Sequence, residues 1–479
     1  MKRLLAVLSL SALLLASCGQ NPPPVTTEPA GSIDTEASTE PATTKEEEVT
    51  VPPTPFESLD RTQTATFRGY ADRALANLLE AFWDSENRHF LRTAEGQPNA
   101  GAPAIWEAAQ SCFALVTYYE ATGDADALAK IRDQWAYLQS DTYKKEILTG
   151  AKKLGSGCYY AQDDAAWGAM EFLAIWRTTK DPVALEWAHD LIVNSYRYWG
   201  TGETKTFAGT EMPDLSESLY YTRNLEEGEE LFQSVYAVPM LLAALEYCTA
   251  ANPDVPTAVD LWQPTLNAFQ WLEANLCRKT SRYYANYDAS GSCVVTCTDN
   301  LYFVDYGRFG ENGPTGAREA DVISPLGSNT ALFGNMGMAA CAGMLWRITG
   351  EENYRTIALR TVKAITTTET HRTTGTYIND RDQGTNASTI GYFVRYALTL
   401  DGVRAKDLQT LLNTATVIAA DCPVPGTPYY YTVWNEDPAG NLIYYPNNSD
   451  VPAYTCQPRL ANCVHVVTAA LLLLTIQPE

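Results

Sequence analysis

From Asp60 onward, apolar side chains recur about every 3.6 residues, the period of a helix with one buried face. The pattern covers 65–83, 103–121, 125–140, 163–179, 183–198 and 231–249, and again 258–277, 330–348, 352–368, 386–400, 405–420 and 458–476. It predicts twelve helices. Only 282–306 and 429–445 read as strand, each with room for a short hairpin.

Three of the helix pairs share a turn: Tyr119-Glu120-Ala121-Thr122-Gly123-Asp124, Trp176-Arg177-Thr178-Thr179-Lys180-Asp181 and Trp346-Arg347-Ile348-Thr349-Gly350-Glu351. The turn threonines stand 57 and then 170 residues apart, the second interval being close to three of the first. Glycine after a helix and an acid opening the next make a tight helix–helix connection. Six such hairpins predict an all-α fold, an (α/α)6 barrel. An open solenoid is the alternative, but the very apolar 464–476 is better buried in a closed ring.

The N-terminal region breaks this pattern. Lys2 and Arg3 precede a short apolar run ending Leu15-Ala16-Ser17-Cys18. The run is too short to span a bilayer comfortably and reads as a signal peptide, 1–17. Its end is similar to a bacterial lipobox, which implies cleavage before Cys18 and lipid attachment to its sulfur. Residues 18–60 are rich in Pro, Thr, Ser and Glu, cannot bury enough apolar surface to fold, and read as a disordered tether. The expected domains are therefore 1–17, 18–60 and a globular body at 61–479. The expected location is the extracellular face of a bacterial membrane, held through the lipid alone.

Composition narrows the chemistry. With 34 Lys+Arg against 57 Asp+Glu the net charge is −23, and no basic run exists to neutralise phosphates, so no nucleic-acid partner is expected. The four histidines, His89, His189, His371 and His465, are widely spaced, and neither a phosphate loop nor a CxxC occurs. No metal, no cofactor and a monomer are expected. Cys112, Cys248, Cys341 and Cys463 lie in apolar helical patterns and read as buried thiols. Cys293 with Cys297, then Cys422 with Cys456, are the candidates for disulfides.

The stretch Gly157-Cys158-Tyr159-Tyr160-Ala161-Gln162-Asp163-Asp164-Ala165-Ala166-Trp167 is the most informative. Acids at a helix start can simply cap free amides and favour the helix dipole. One acid suffices for that, and two in succession repel. A retaining glycosidase needs a nucleophilic carboxylate and an acid/base carboxyl about 5–5.5 Å apart. Adjacent Cα atoms are about 3.8 Å apart and successive helix side chains diverge by about 100°, so Asp163 and Asp164 can reach that separation. Tyr160 and Trp167 offer faces for a sugar. Spacing alone leaves capping and catalysis both open.

The chain resembles glycoside hydrolase family 76, the endo-α-1,6-mannanases, in five elements that occur in order. Tyr159 to Trp167 is similar to the family's Asp-Asp motif. Trp106-Glu107-Ala108-Ala109-Gln110 resembles its early Trp-containing helix, and Trp271-Leu272-Glu273-Ala274-Asn275-Leu276 with Tyr283-Tyr284 its Trp-Leu helix and Tyr-rich turn. Phe333-Gly334-Asn335-Met336-Gly337-Met338 stands in place of a Tyr-Asn-Gln-Gly motif. Gly391-Tyr392-Phe393-Val394-Arg395-Tyr396 is similar to a late Gly-x-Phe-x-Arg helix. The resemblance implies an (α/α)6 barrel and retaining cleavage of α-1,6-linked mannan, with Asp163 as nucleophile and Asp164 as acid/base. It implies substrate contacts from Tyr160, Gln162, Trp167, Trp106, Gln110, Asn335 and Arg395. Departures are Gly168 for a second Trp, Phe-Gly-Asn-Met for Tyr-Asn-Gln-Gly, and Ile390 for a Lys.

Asp305 and Tyr306, in the long 278–328 excursion, are further substrate candidates, because long loops over a barrel mouth commonly line subsites. Glu226–Glu230 reads as a solvated acid cluster. Residues 379–384 read as a polar turn, lacking the closing Glu of a calcium loop. Trp135, Trp176, Trp187, Trp262 and Trp346 are expected in the core. Two competing functions remain: a non-catalytic glycan-binding lipoprotein on the same fold, and an epimerase or uronyl hydrolase. The epimerase chemistry would call for a pair of histidines in the central cleft.

Overall fold

The computed structural model describes residues 54–91, 105–140, 162–207, 209–216, 218–219, 233–277, 301–302, 332–368, 370, 374–377, 387–431 and 457–477, with short strands at 282–285, 294–297, 305–306, 309–310, 313–314, 434–436 and 442–444. The signal segment with Cys18, the tether to residue 53, Tyr160, the 226–230 cluster and the 379–384 turn lie outside the described residues, as do Cys293 and Cys456.

Twelve helices are present among the described residues: α1 (Thr64–Phe82), α2 (Ile105–Thr122), α3 (Ala125–Leu138), α4 (Gln162–Thr179), α5 (Pro182–Trp199) and α6 (Val238–Ala251) in the first half. The second half holds α7 (Trp262–Asn275), α8 (Leu332–Thr349), α9 (Glu352–Thr368), α10 (Ile390–Phe393, continued by a π-turn at Val394–Leu398), α11 (Ala405–Ala420) and α12 (Gln457–Thr475). Helices α2, α4, α6, α8, α10 and α12 each pack on the next, and α12 packs on α2. That closes an inner ring. The other six lie outside it, α3 against α2, α5 against α4 and α9 against α8. This is the (α/α)6 barrel that the periodicity predicts.

Sequence explains which helices go inside. In α8 every residue from Leu332 to Leu345 is buried, as is nearly all of α4 from Gln162 to Ile175. A helix covered on all sides must be apolar or small-residued around its whole circumference. The outer α3 buries only Ala127, Ile131, Gln134, Trp135 and Leu138, a single stripe. Close approach is built in at Gly343, where a Cβ would collide with the carbonyl of Tyr396 in the π-turn of α10.

The repeated turn is one structure used three times. Gly123, Lys180 and Gly350 have φ of 67°, 58° and 71°, and their amides donate to the carbonyls of Tyr119, Trp176 and Trp346 at 2.7, 2.8 and 2.7 Å. The threonine hydroxyls accept from the amides of Asp124, Asp181 and Glu351. Asp124 and Asp181 then cap the next helix. Lys180 holds a conformation that glycine adopts without cost.

Some boundaries differ from the periodicity. Helix α6 begins at Val238, later than expected, because Pro239 favours a helix start; Gln233–Ser234 is a strand and Val235–Ala237 a 3-10 turn. Gln233–Ser234 pairs antiparallel with Asp305–Tyr306. The two expected hairpins form, as Arg282–Ala285 with Val294–Cys297 and Trp434–Glu436 with Leu442–Tyr444. Residues 54–60, assigned to the tether by composition, pack on the body: Phe56 is buried, with the Arg61 guanidinium over its ring. Arg61 Nη1 donates to the carbonyls of Leu474, in the last turn of α12, and Ile476, just beyond it.

Cys112, Cys248, Cys341 and Cys463 are buried as expected. Cys422, considered for a disulfide, is instead a buried free thiol. Trp135, Trp187 and Trp262 are buried, and Trp176 and Trp346 pack against the core. Among the described residues no helix is long and apolar enough to cross a membrane.

Candidate active site

Inner helices α2 and α4 run parallel. Phe113 meets Trp167, with ring centroids 6.4 Å apart, and further along Glu120 meets Arg177. Their N-terminal ends share one mouth of the lumen and their C-terminal ends share the floor. Gln162, Asp163 and Asp164 form the first turn of α4, at the mouth.

Asp163 is 7% exposed, and Asp164 is half-buried beside it. Burial, and then the charge of Asp164, push the Asp163 carboxyl well above the usual carboxylate range. The amides of Asp163 and Asp164 and the Trp167 indole oppose that shift without cancelling it. The Asp163 carboxyl therefore holds its proton more strongly than an ordinary carboxyl, and Asp163 Oδ1 has no hydrogen-bond partner. A cap alone would leave its carboxylate in solvent with a lowered value. This one is buried and raised.

Two carboxamides lie at the same end of the ring. Gln162 is fully buried with neither amide atom partnered. Gln110, at the corresponding level of α2, accepts from Ser388 Oγ at 2.5 Å, and its Nε2 is unpartnered. Ser388 Oγ also lies 3.4 Å from Asn462 Oδ1 of α12. Buried polar atoms left unsatisfied are costly, so such a cluster suits a ligand rich in hydroxyls. Ser388 and Asn462 were not foreseen: they sit in no motif and meet Gln110 only because α12 packs on α2 and α10 packs on α12.

The other expected contacts divide. Trp106, one turn before Gln110, is half-buried at the mouth. Trp167 is 1% exposed, wedged edge-on between Phe113 and Phe333, so it is no stacking face. Its indole instead holds Asp163. Asn335 Oδ1 accepts the Tyr302 amide at 2.8 Å and so fastens the excursion to α8. The backbone of Asp305–Tyr306 is placed beside the Val235–Ala237 turn through its pairing with Gln233–Ser234; the side chains lie outside what is described.

Arg395 is elsewhere. It is largely covered at the floor and ion-paired with Glu120. Glu120 lies about 15 Å along α2 from Gln110, at about 1.5 Å per residue. Arg177 Nε donates to Glu120 at 2.7 Å and its Nη1 to Glu246, whose other oxygen accepts from the Tyr392 hydroxyl. Arg347 Nη2 donates to the Arg395 carbonyl at 2.9 Å and to Thr399 at 2.8 Å. Burial pushes Arg395 down to about 10. The expected substrate contact is thus a structural ion pair: the helix that carries it enters the ring at the mouth and delivers residue 395 below it.

Between mouth and floor, His465 Nε2 and Thr117 Oγ1 lie 3.1 Å apart. Burial, with Arg395 and Arg177 nearby, drives this imidazole down to about 3, so it is neutral. A cavity of about 10 Å³, room for one water, adjoins it, lined by Thr117, Ser388, Tyr392 and Arg395 among others. Of the other described histidines, His89 stacks on Tyr137 and His189 lies against Tyr247 from the outer helix α5. No histidine pair forms in the lumen among the described residues.

No protein-family model and no curated protein matches the sequence. Solved structures do match. The GH76A α-1,6-mannanase from Salegentibacter sp. HEL1_6 superposes with a TM-score of 0.57 at 16% identity, over 85% of this chain and 99% of that one. An inactive variant of the same enzyme, with two consecutive aspartates replaced by asparagine and α-1,6-mannotriose bound, gives 0.56 at 16% over 85% and 99%. An unsaturated glucuronyl hydrolase specific for heparin gives 0.51 at 11% identity over 85% and 97%. The chain has the fold of the family 76 glycoside hydrolases, and that fold also carries a different reaction.

Proposed function

We propose that this protein is a retaining glycoside hydrolase that cleaves α-mannan within an α-1,6-linked mannose backbone. The observation that carries the reading is the adjacent Asp163–Asp164 pair at the ring's mouth, with Asp163 buried and its carboxyl raised, at the same end of the ring as unpartnered amide atoms of Gln110 and Gln162. The fold it shares with α-1,6-mannanases supports the choice of sugar. In the first step Asp163 attacks the anomeric carbon while Asp164 gives its proton to the departing glycosidic oxygen. In the second, Asp164 takes a proton from water, the water oxygen attacks the same carbon, and Asp163 is released. Burial raises the Asp163 carboxyl, so its role as nucleophile requires that it be ionised as the sugar enters.

Release of reducing ends from linear α-1,6-mannan tests the activity. Azide separates the roles: the acid/base variant gives a glycosyl azide of retained configuration, the nucleophile variant one of inverted configuration. Asp164→Gly is expected to give the α-azide, and a β-azide there would reverse the assignment. Asn335, tied to Tyr302 rather than facing the mouth, favours a second reading as a non-catalytic glycan receptor. That reading predicts saturable mannan binding, no products, and indifference to either aspartate. We also propose attachment to the membrane through Cys18, on the strength of Leu15-Ala16-Ser17-Cys18. Loss of labelled fatty-acid incorporation in Cys18→Ser tests it.

A further inference from the structure

The rings beside Asp163 form a series. The Trp167 indole bonds its carboxylate, the Phe333 centroid lies 5.7 Å from that of Trp167, and Tyr236 lies 5.2 Å beyond Phe333. Trp167 and Phe333 are buried and out of reach of a sugar. Tyr236 is half-buried, the first ring of the series with open surface. It sits on the Val235–Ala237 turn, which packs on both α4 and α8.

Two devices hold that turn. Gln233–Ser234, just before it, is paired with Asp305–Tyr306. The chain leading to Asp305 is pinned at Tyr302, whose amide goes to Asn335 and whose hydroxyl goes to Glu273, itself paired with Arg360. On the other flank of α4 stands α2, carrying the half-buried Trp106. Because the ring order is α2, α4, α6, Trp106 and the turn that carries Tyr236 lie on opposite flanks of α4.

We infer that Tyr236 is a sugar-stacking residue on the side of Asp163 opposite Trp106, so that a linear chain of hexopyranoses crosses the start of α4 with its scissile bond between the two rings. The apolar C–H face of a pyranose matches an aromatic face, and a rigid ring loses little entropy in providing it. A cleft with a platform on each side accepts the middle of a chain, which is what endo-cleavage requires. The inference rests on the proposed function and adds a residue and a direction to it.

The test uses the Asp163→Asn, Asp164→Asn double variant of the full chain, titrated with α-1,6-mannotetraose and with mannobiose. Adding Tyr236→Leu keeps an apolar contact on Phe333 but removes the ring; Tyr236→Phe keeps the ring. The expected result is tetraose binding weakened about tenfold, about 1.4 kcal/mol, by Tyr236→Leu and within about twofold for Tyr236→Phe, with mannobiose affected less. Unchanged tetraose affinity in Tyr236→Leu would overturn the inference while leaving the proposed function standing. Absence of tetraose binding to the parent double variant would remove both. In the active protein, Tyr236→Leu and Trp106→Leu should shift product lengths in opposite directions; a shift in the same direction would overturn the flanking arrangement.

Discussion

The two ends of the lumen handle charge in opposite ways. At the mouth, two like acids stand side by side, one buried with a raised pKa, and the amides of Gln110 and Gln162 have unpartnered atoms. At the floor, Arg177 and Arg395 are matched by Glu120 and Glu246, with Tyr392 completing the set. Buried ions are tolerable when paired and hydrogen-bonded, and expensive otherwise. The floor therefore sets opposite charges against one another, whereas the mouth sets like charges side by side. A fold can keep such a site because the stabilising contacts are elsewhere.

The sharpest break of this contrast is at the aspartates. Asp163→Asn or Asp164→Asn should lower kcat by at least about 10³-fold, while stability stays level or rises by about 1 kcal/mol as the buried acid pair is relieved. Reducing-sugar assay and calorimetry on the same preparations would check both halves. At the floor the signs reverse. Glu246→Ala leaves Arg177 short of a partner and should cost about 3–5 kcal/mol by chemical denaturation, with residual activity at low temperature retained.

Acidity offers a third probe. Glu171 of α4, fully buried against Gln134 and Cys112, is pushed up by burial to about 8 from an ordinary 4.5. A folded value above the unfolded one gives stability that is full below pH 4.5 and is lost as pH rises towards about 8. Thermal unfolding of the wild type should weaken across that window, and Glu171→Gln should flatten the decline by about 1–3 kcal/mol. The smallest effect is expected at the shared turn. Lys180→Gly relieves a positive φ but gives up the contact of Lys180 Nζ over Trp176, for a net gain of about 0.5 kcal/mol by calorimetry.

The ring was legible because period and turn agree: apolar runs such as Leu332–Leu345 and three copies of one connection leave few other architectures. The place of the aspartates at a helix start was legible from the apolar run that follows them, and two consecutive acids exceed what capping needs. The floor was not read, although a signal existed. Glu120, Arg177 and Arg347 each stand two residues before the turn threonine, so the repeat that sets the hairpins also sets three charges at one depth. Arg395 was misplaced because a motif gives order along the chain and says nothing of depth in a lumen. Ser388, Asn462 and Tyr236 meet the site only through neighbours far away in sequence.

Helix α12 touches α1 and α2 along its length, and His465 reaches Thr117 across 348 residues of chain. Until α12 arrives, the first helices to emerge from the ribosome lack the partner that covers them. Such late, long-range closure is slow and exposes apolar surface meanwhile. Truncating the chain before residue 457 should then yield an aggregating fragment rather than a smaller folded ring, and helpers that shield nascent chains would be needed most during that wait.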